Sequence, residues 1–260
     1  MILRRFSESL KQQNWVAICI EFVLLVAGVF LGIQVANWNA ERETRQKAAI
    51  FTERLKADLR EEAWSYQYLI EYSRDVLANA EIAVDALSGK AAASNEALLV
   101  SAYRATQYKQ RTRRRSTYDE LISTGTIGLI QDQRLRDTTM RLYNVPTIEN
   151  TVREGATSRF REAFRMIVAN DVQRALNKHC GDRTITIGDY RAIAGNLDYP
   201  CKLDLPQREI DEAANALRAN AGLAPLLRLR IADLGTRVHD LTVNNRDIVQ
   251  GLQAVSEDTP

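Results

Sequence analysis

The sequence predicts an all-α chain in which an N-terminal transmembrane helix continues into an antiparallel bundle of long helices, interrupted by a small disulfide-closed loop or hairpin insert. Three observations predict it. Trp15 to Trp38 is an apolar stretch with a Trp at each end, and only Glu21, Gln34 and Asn37 inside it are conspicuously polar. Beyond Asn39, apolar residues recur at steps of three and four, the spacing that lines one face of a helix. Cys180 and Cys201 bracket a stretch unlike the helical patterns on either side of it.

A helix over residues 15–38 would rise about 34 Å, enough to cross a hydrocarbon core of about 30 Å. Trp15 and Trp38 then fall at the two headgroup levels, where amphipathic rings are favoured. A cleaved signal would have a shorter apolar core of about 7–15 residues ending in small residues. This run is longer and closes on Asn37-Trp38-Asn39, so the segment reads as a retained anchor behind a short tail, residues 1–14. Ala17, Glu21, Gly28, Gly32 and Asn39 lie near one stripe of that helix, with Ala36 at its edge. Gly28 and Gly32 form a small-xxx-small pair that lets a second helix approach closely. Glu21 either hydrogen-bonds across that contact or reaches toward the interface. Gln34 points to the other side, and nothing in the sequence accounts for it.

With net charge +2, 26% charged residues and five prolines, residues 39–260 suit one or two soluble helical domains. No global field argues for nucleic acid. Arg4, Arg5 and Lys11 against Glu8 before the span, and Arg42, Arg45 and Lys47 among Glu41 and Glu43 after it, leave the positive-inside rule nearly balanced, so orientation rests on the cysteines. Cys19 falls in the span; Cys180 and Cys201 would close a loop of about 20 residues, worth roughly 3 kcal/mol as a disulfide. Disulfides persist outside the cytoplasm. That places residues 1–14 in the cytoplasm and the domain in a Gram-negative periplasm. Two free thiols in a cytoplasmic domain are the alternative.

The elements follow in order. Residues 48–87 form an amphipathic helix with Phe51, Leu55, Leu59, Tyr66, Leu69, Val76, Ala80, Ala83 and Leu87 inward, continuous with the span. Ser88-Gly89-Lys90 breaks it, and residues 91–110 return as a second helix. The basic run Lys109–Arg115 is a solvated loop or an intramolecular partner for Glu61 and Glu62, rather than a site for anionic lipid. Thr117 to Glu120 is spaced like a capping box and opens a helix through Ile122. Gly125 and Gly128 supply positive φ in a turn. A helix from Asp132 to Tyr143 ends before Pro146. Another runs from Thr147 to about Lys178, with Phe160, Phe164, Ile167, Val168, Val172 and Leu176 inward. After an insert at 180–201 whose Thr184–Ile187 alternates, Asp204 caps a helix to Asn220. The last helix, 223–256, carries a heptad of about four repeats through Leu227, Leu234, Leu241 and Ile248, with Asn245 at an a position. There Asn245 sets register or oligomeric state, or bonds a neighbour inside an intramolecular bundle; the second is favoured.

The stretch Glu21-Phe-Val-Leu-Leu-Val-Ala-Gly-Val-Phe-Leu-Gly-Ile-Gln-Val-Ala-Asn-Trp-Asn-Ala-Glu-Arg42 resembles the hallmark of a bacterial family of single-span membrane proteins of unknown function, with an acidic residue opening the span and Asn-Trp-Asn closing it. Tyr118-Asp-Glu-Leu-Ile-Ser-Thr-Gly125, with Leu129-Ile130 and Arg134-Leu-Arg136 up to Tyr143, is similar to its second signature. The resemblance implies the architecture and supplies no catalytic residues. The Cys180–Cys201 insert lies outside it.

Chemistry-bearing motifs are missing. His179 beside Cys180, with Cys201, lacks metal-ligand spacing, and no nucleophile elbow, zincin or Walker motif occurs. No catalytic, cofactor or metal residue is expected, nor a small-molecule ligand. The expected role is association with the bilayer and with a second copy or another membrane protein, as scaffold, accessory subunit or sensor-like module. A membrane-tethered enzyme with an unrecognised site, and a sensory input domain signalling through a partner, are the alternatives.

Overall fold

The computed structural model describes residues 15–257, with side chains described from Cys19 onward. The tail 1–14 and the side chains of Trp15 and Ala17, two of the residues singled out in the span, lie outside the described residues. The chain separates into two compact units, Met1–Thr52 and Glu53–Pro260. Among the described residues every regular element is a helix, and there is no strand. The all-α reading therefore holds, as does the long first helix.

That helix, α1, spans Trp15–Leu87. In the first unit its large apolar side chains between Ile20 and Trp38 are 48 to 67% exposed. The polar turns after them carry the i,i+4 ion pairs Glu41–Arg45 and Glu43–Lys47, each worth a few tenths of a kcal/mol.

In the second unit α1 is the centre of the bundle. Leu55, Leu59, Tyr66, Leu69, Val76, Ala80 and Ala83 are buried, as the periodicity expects. So are Trp64, Tyr68 and Tyr72, a second stripe on another face. Two buried stripes mean that neighbours cover α1 on more than one side, while Arg74, Ala78, Glu81 and Ile82 stay exposed.

The next helix, α2, covers only Asn95–Ala105, shorter at both ends than the expected 91–110. The Ser94 hydroxyl accepts from the Ala97 N–H and fixes its start; residues 107–115 then run without helix. α3 (Ser116–Ser123) starts under the Asp58 carboxylate of α1, which accepts the Thr117 N–H. The start signal comes from a tertiary contact, not from the capping box. Gly125 adopts φ +67°, a left-handed conformation that favours glycine, while Gly128 sits inside a 3-10 turn, Ile127–Leu129. α4 (Gln133–Asn144) is capped by Asp132.

The expected helix from Thr147 to about Lys178 is three helices: α5 (Thr147–Ala156), α6 (Arg159–Ile167) and α7 (Asn170–Cys180). The inner residues Phe160, Phe164, Val168, Val172 and Leu176 are indeed buried, with Ile167 partly so. Their unbroken spacing of four, however, drifts about 40° per step on a straight helix. A single helix would turn the last of them away from the core. The break at Val168-Ala169 resets the face, and the Ser158 hydroxyl caps α6.

The Cys180–Cys201 disulfide is formed, with the Cα atoms 5.4 Å apart. The loop it closes contains one short helix, α8 (Ala192–Leu197), and Thr184–Ile187 forms no hairpin. α9 (Gln207–Ala219) starts after Pro206 without a side-chain cap, so Asp204 does not serve as one.

The C-terminal heptad is interrupted. α10 (Leu223–His239) passes through a π turn, Asp240–Asn244, into α11 (Arg246–Glu257). Asn245 makes that turn: its side-chain amide donates to the Asp240 carbonyl at 2.8 Å and to Thr147 Oγ1 at 3.1 Å. A polar side chain inserted into the helical ladder is a known cause of such interruptions. Leu227, Leu234, Leu241, Ile248, Leu252 and Val255 are buried within this chain.

Candidate functional site

Three features stand out beyond the packed core: the exposed face of the first unit, a basic segment laid along α1, and an acidic groove in the bundle.

On the first, 18 residues separate Glu21 from Asn39, five full helical turns, so the two align along the helix about 27 Å apart. Gly28 and Gly32 fall between them within about 20° of the same line. A Cβ built on either glycine meets nothing within 4 Å. Glu21, Ala36 and Asn39 are exposed, as is Trp38. The structure thus brings the predicted face together from Glu21 to Asn39.

The second feature is the stretch 109–117. Lys109 lies 5.6 Å over the Tyr68 ring and 5.9 Å over Tyr72; Arg111 lies 5.8 Å over Trp64. Further along, Arg113 covers Tyr143 at 4.9 Å and pairs with Glu62, while the Arg114 N–H and side chain reach Glu62 and Glu61. The Thr117 N–H ends the series on Asp58. The segment therefore runs antiparallel to α1 from Tyr72 to Asp58. The register has a simple cause. Two residues of extended chain cover about 6.6 Å, and four residues of helix cover about 6 Å. Alternate basic side chains thus meet rings spaced four apart.

Glu62 and Arg113 anchor this register; their side chains are 3% and 10% exposed. Arg113 donates to Glu62 at 3.3 Å, to Glu149 at 3.0 Å and to the Leu142 carbonyl at 3.1 Å, and the Tyr143 hydroxyl donates to the Arg114 carbonyl. Each of the three guanidinium nitrogens donates within this chain. The sequence offered Glu61 and Glu62 as partners of the basic run; it did not offer the rings. Trp64, Tyr68 and Tyr72 at steps of four, against Lys109, Arg111 and Arg113 at steps of two, are the signal that would have found them.

The third feature is an open groove of about 680 Å³ between α1, α8 and α11, walled by Tyr66, Ile193, Leu197 and Leu252 and edged by Glu71, Asp75 and Asp198. Burial pushes Asp75 up to about 6, with Asp198 and Asp182 adding repulsion against the pull of Arg104 and the Asn79 hydrogen bond. The group is raised in the folded state, so it is neutral in both states below pH 3.8. Stability is lost as pH climbs from about 4 to 6, where only the unfolded chain gains the charge freely, and is level above. Asp75→Asn is expected to gain about 1–2 kcal/mol over the wild type above pH 6, the shift being discounted for partial exposure, and almost nothing at about pH 3, where the carboxyl is protonated in both states. Urea midpoints at the two pH values check it; an equal gain at both would assign the effect to packing.

Among the described residues no group of three or more His, Cys, Asp or Glu is arranged to hold a metal ion. The span-like face that opens at Glu21 and the segment that ends in the Arg113–Glu149 pair are the two ends of one stretch of sequence. Residues 21–149 match the model of a family of unknown function, DUF6090. Nothing among curated proteins matches the chain, and nothing among solved structures does. The DUF6090 stretch carries α1 from Glu21, the basic segment, α3 and α4. The disulfide loop, the acidic groove's α8 and α11 walls, and Asn245 lie outside it.

Proposed function

We propose that the chain is a single-pass protein of the bacterial inner membrane, with residues 1–14 cytoplasmic, residues 15–38 crossing the bilayer and the helical bundle periplasmic. It acts by association rather than catalysis, as a scaffold, accessory subunit or sensor-like module. Its partner is a second copy of the chain or another membrane protein. The observation that carries the reading is the unbroken exposure of apolar side chains on every side of α1 from Ile20 to Val35. Water-facing surfaces do not sustain an apolar patch of that size, whereas lipid does. Among the described residues α1 is the one helix long and apolar enough to cross a membrane. The open space at Gly28 and Gly32 supports association through that face, and the Cys180–Cys201 bond supports an oxidising compartment.

Crosslinking in native membranes tests the association. Wild type should give a discrete oligomer or heteromer, and Gly28→Leu or Glu21→Leu should reduce it several-fold. A wild type that stays monomeric, unchanged by either substitution, removes the claim. Orientation is tested separately. After an impermeant reductant, an impermeant thiol reagent should modify Cys180 and Cys201 from the periplasmic side; modification only from the cytoplasmic side reverses the topology.

A further inference from the structure

Between the basic segment and the disulfide loop lies a groove of about 620 Å³, within the range of small-molecule sites. Trp64, Tyr68, Ile185 and Ile187 give it apolar surface, and Lys109, Arg111, Arg113, Arg114 and Arg183 give it charge. Against these five cations the lining holds two carboxylates, Glu61 and Asp182, and Glu62 neutralises Arg113 from beneath. Glu149, 3.0 Å from Arg113, is a fourth carboxylate, so one positive charge remains unmatched, and its owner can be named. Glu61 is shared, 2.7 Å from Arg114 and 3.8 Å from Arg111, while Arg113 takes both Glu62 and Glu149. Arg183 has no carboxylate partner among the described residues; its guanidinium lies 3.4 Å over the Tyr199 ring.

The donors are unmatched as well. Trp64 Nε1 and Arg111 Nη1 are both buried and have no acceptor, although a buried donor without a partner costs about 1–3 kcal/mol. Burial lowers the Arg111 pKa against the opposing pull of Glu62 and Glu61, consistent with a cation short of compensation. The two orphan donors have no accessible surface and are not themselves offered to the groove; surplus positive charge, an Arg183 without a carboxylate and aromatic walls describe what would complete it.

We propose that this groove binds a small organic anion, a carboxylate or phosphoryl group on a planar or apolar body. The anionic group meets Arg111 and Arg183, and the body lies against Trp64, Tyr68 and the two isoleucines. The groove belongs wholly to the bundle, so the inference stands apart from the membrane reading. It also departs from the sequence, which gave no reason to expect a small-molecule ligand. One wall, residues 182–187, is part of the loop closed by Cys180 and Cys201.

The test uses the full chain in a neutral detergent with Trp15→Phe and Trp38→Phe, which leaves Trp64 as the only tryptophan. Phenyl phosphate is titrated while Trp64 fluorescence is followed, beside inorganic phosphate, benzyl alcohol and benzylamine. Phenyl phosphate should give a saturable change, at least about tenfold tighter than inorganic phosphate or benzyl alcohol, and benzylamine none. Arg183→Gln, on the exposed loop, should weaken it about tenfold, the worth of one charge-assisted hydrogen bond, and Arg111→Gln should do the same. Raising salt to 0.5 M should weaken it further. No saturation below about 10 mM would overturn the proposal, as would equal binding by benzyl alcohol or equal titrations in wild type and Arg183→Gln. Equal binding by inorganic phosphate would overturn the apolar half of the assignment.

Discussion

Arg113→Met is expected to cost the bundle about 3–5 kcal/mol, because it leaves Glu62 charged inside the protein with only the Arg114 N–H to satisfy it. The Glu62 side chain is 3% exposed and cannot turn to water. At about 2–4 °C per kcal/mol for a domain of this size, the melting temperature should fall by roughly 10 °C. Arg113→Lys keeps the charge but loses the fork that reaches Glu62, Glu149 and the Leu142 carbonyl together, and should cost about 1–2 kcal/mol. The double variant Glu62→Met with Arg113→Met separates the causes. It removes the uncompensated charge and should recover most of the loss. Thermal unfolding followed by circular dichroism reads all three. If the double variant melts no higher than Arg113→Met alone, the loss comes from packing over Tyr143 rather than from the stranded carboxylate.

Removing the disulfide is the second large effect. Cys180→Ala with Cys201→Ala should destabilise the bundle by roughly 3 kcal/mol, the chain entropy released by opening a loop of about 20 residues. Alanine is the substitution of choice because Cys180 is buried and a serine hydroxyl there would add its own desolvation cost. The bond ties the end of α7 to Cys201, two residues after Tyr199, whose carbonyl accepts from Arg104 at 2.6 Å. Its loss should therefore loosen the contact of the loop with α2 before the remainder of the bundle unfolds. Hydrogen exchange at residues 181–200 follows the first, and denaturant midpoints with and without reductant the second. A wild type insensitive to reductant, or a variant as stable as the wild type, would show that the loop is already held by its other contacts.

Much of the fold was legible because it rests on local signals. The inward residues of α1, the Asp132 cap, the positive φ at Gly125 and the Cys180–Cys201 pairing all follow from spacing or residue type. The failures share another cause. Apolar residues at 160, 164, 168, 172 and 176 look like one stripe until the drift of a four-residue period is counted, and the heptad through Leu241 looks continuous until Asn245 finds the Asp240 carbonyl and Thr147. The α3 cap comes from Asp58, nearly sixty positions earlier. Partners so distant in sequence leave no mark on a local window. Of the candidate sites, the span-like face was readable from Glu21, Gly28, Gly32 and Asn39 alone. The anion groove was not, because one wall is the basic segment, the other the disulfide loop, and its floor the Trp64–Tyr68 stripe that a single-face reading of α1 passed over.

The segment from Lys109 to Thr117 has one more consequence. By outward form it is a connector, yet it is held to a count. Lys109, Arg111 and Arg113 face the rings and acids of α1, and a single inserted or deleted residue would present Gln110 and Thr112 in their place. Length is thus as strictly specified here as in a strand of a sheet, although the described residues form no sheet. The insert between Cys180 and Cys201 also has loop character, but its ends are fixed by a covalent bond, and Gly188 at its tip is exposed with open space around it. Two stretches that a composition plot would class together differ in how they are held: one by its register along α1, the other by a covalent bond that closes its ends.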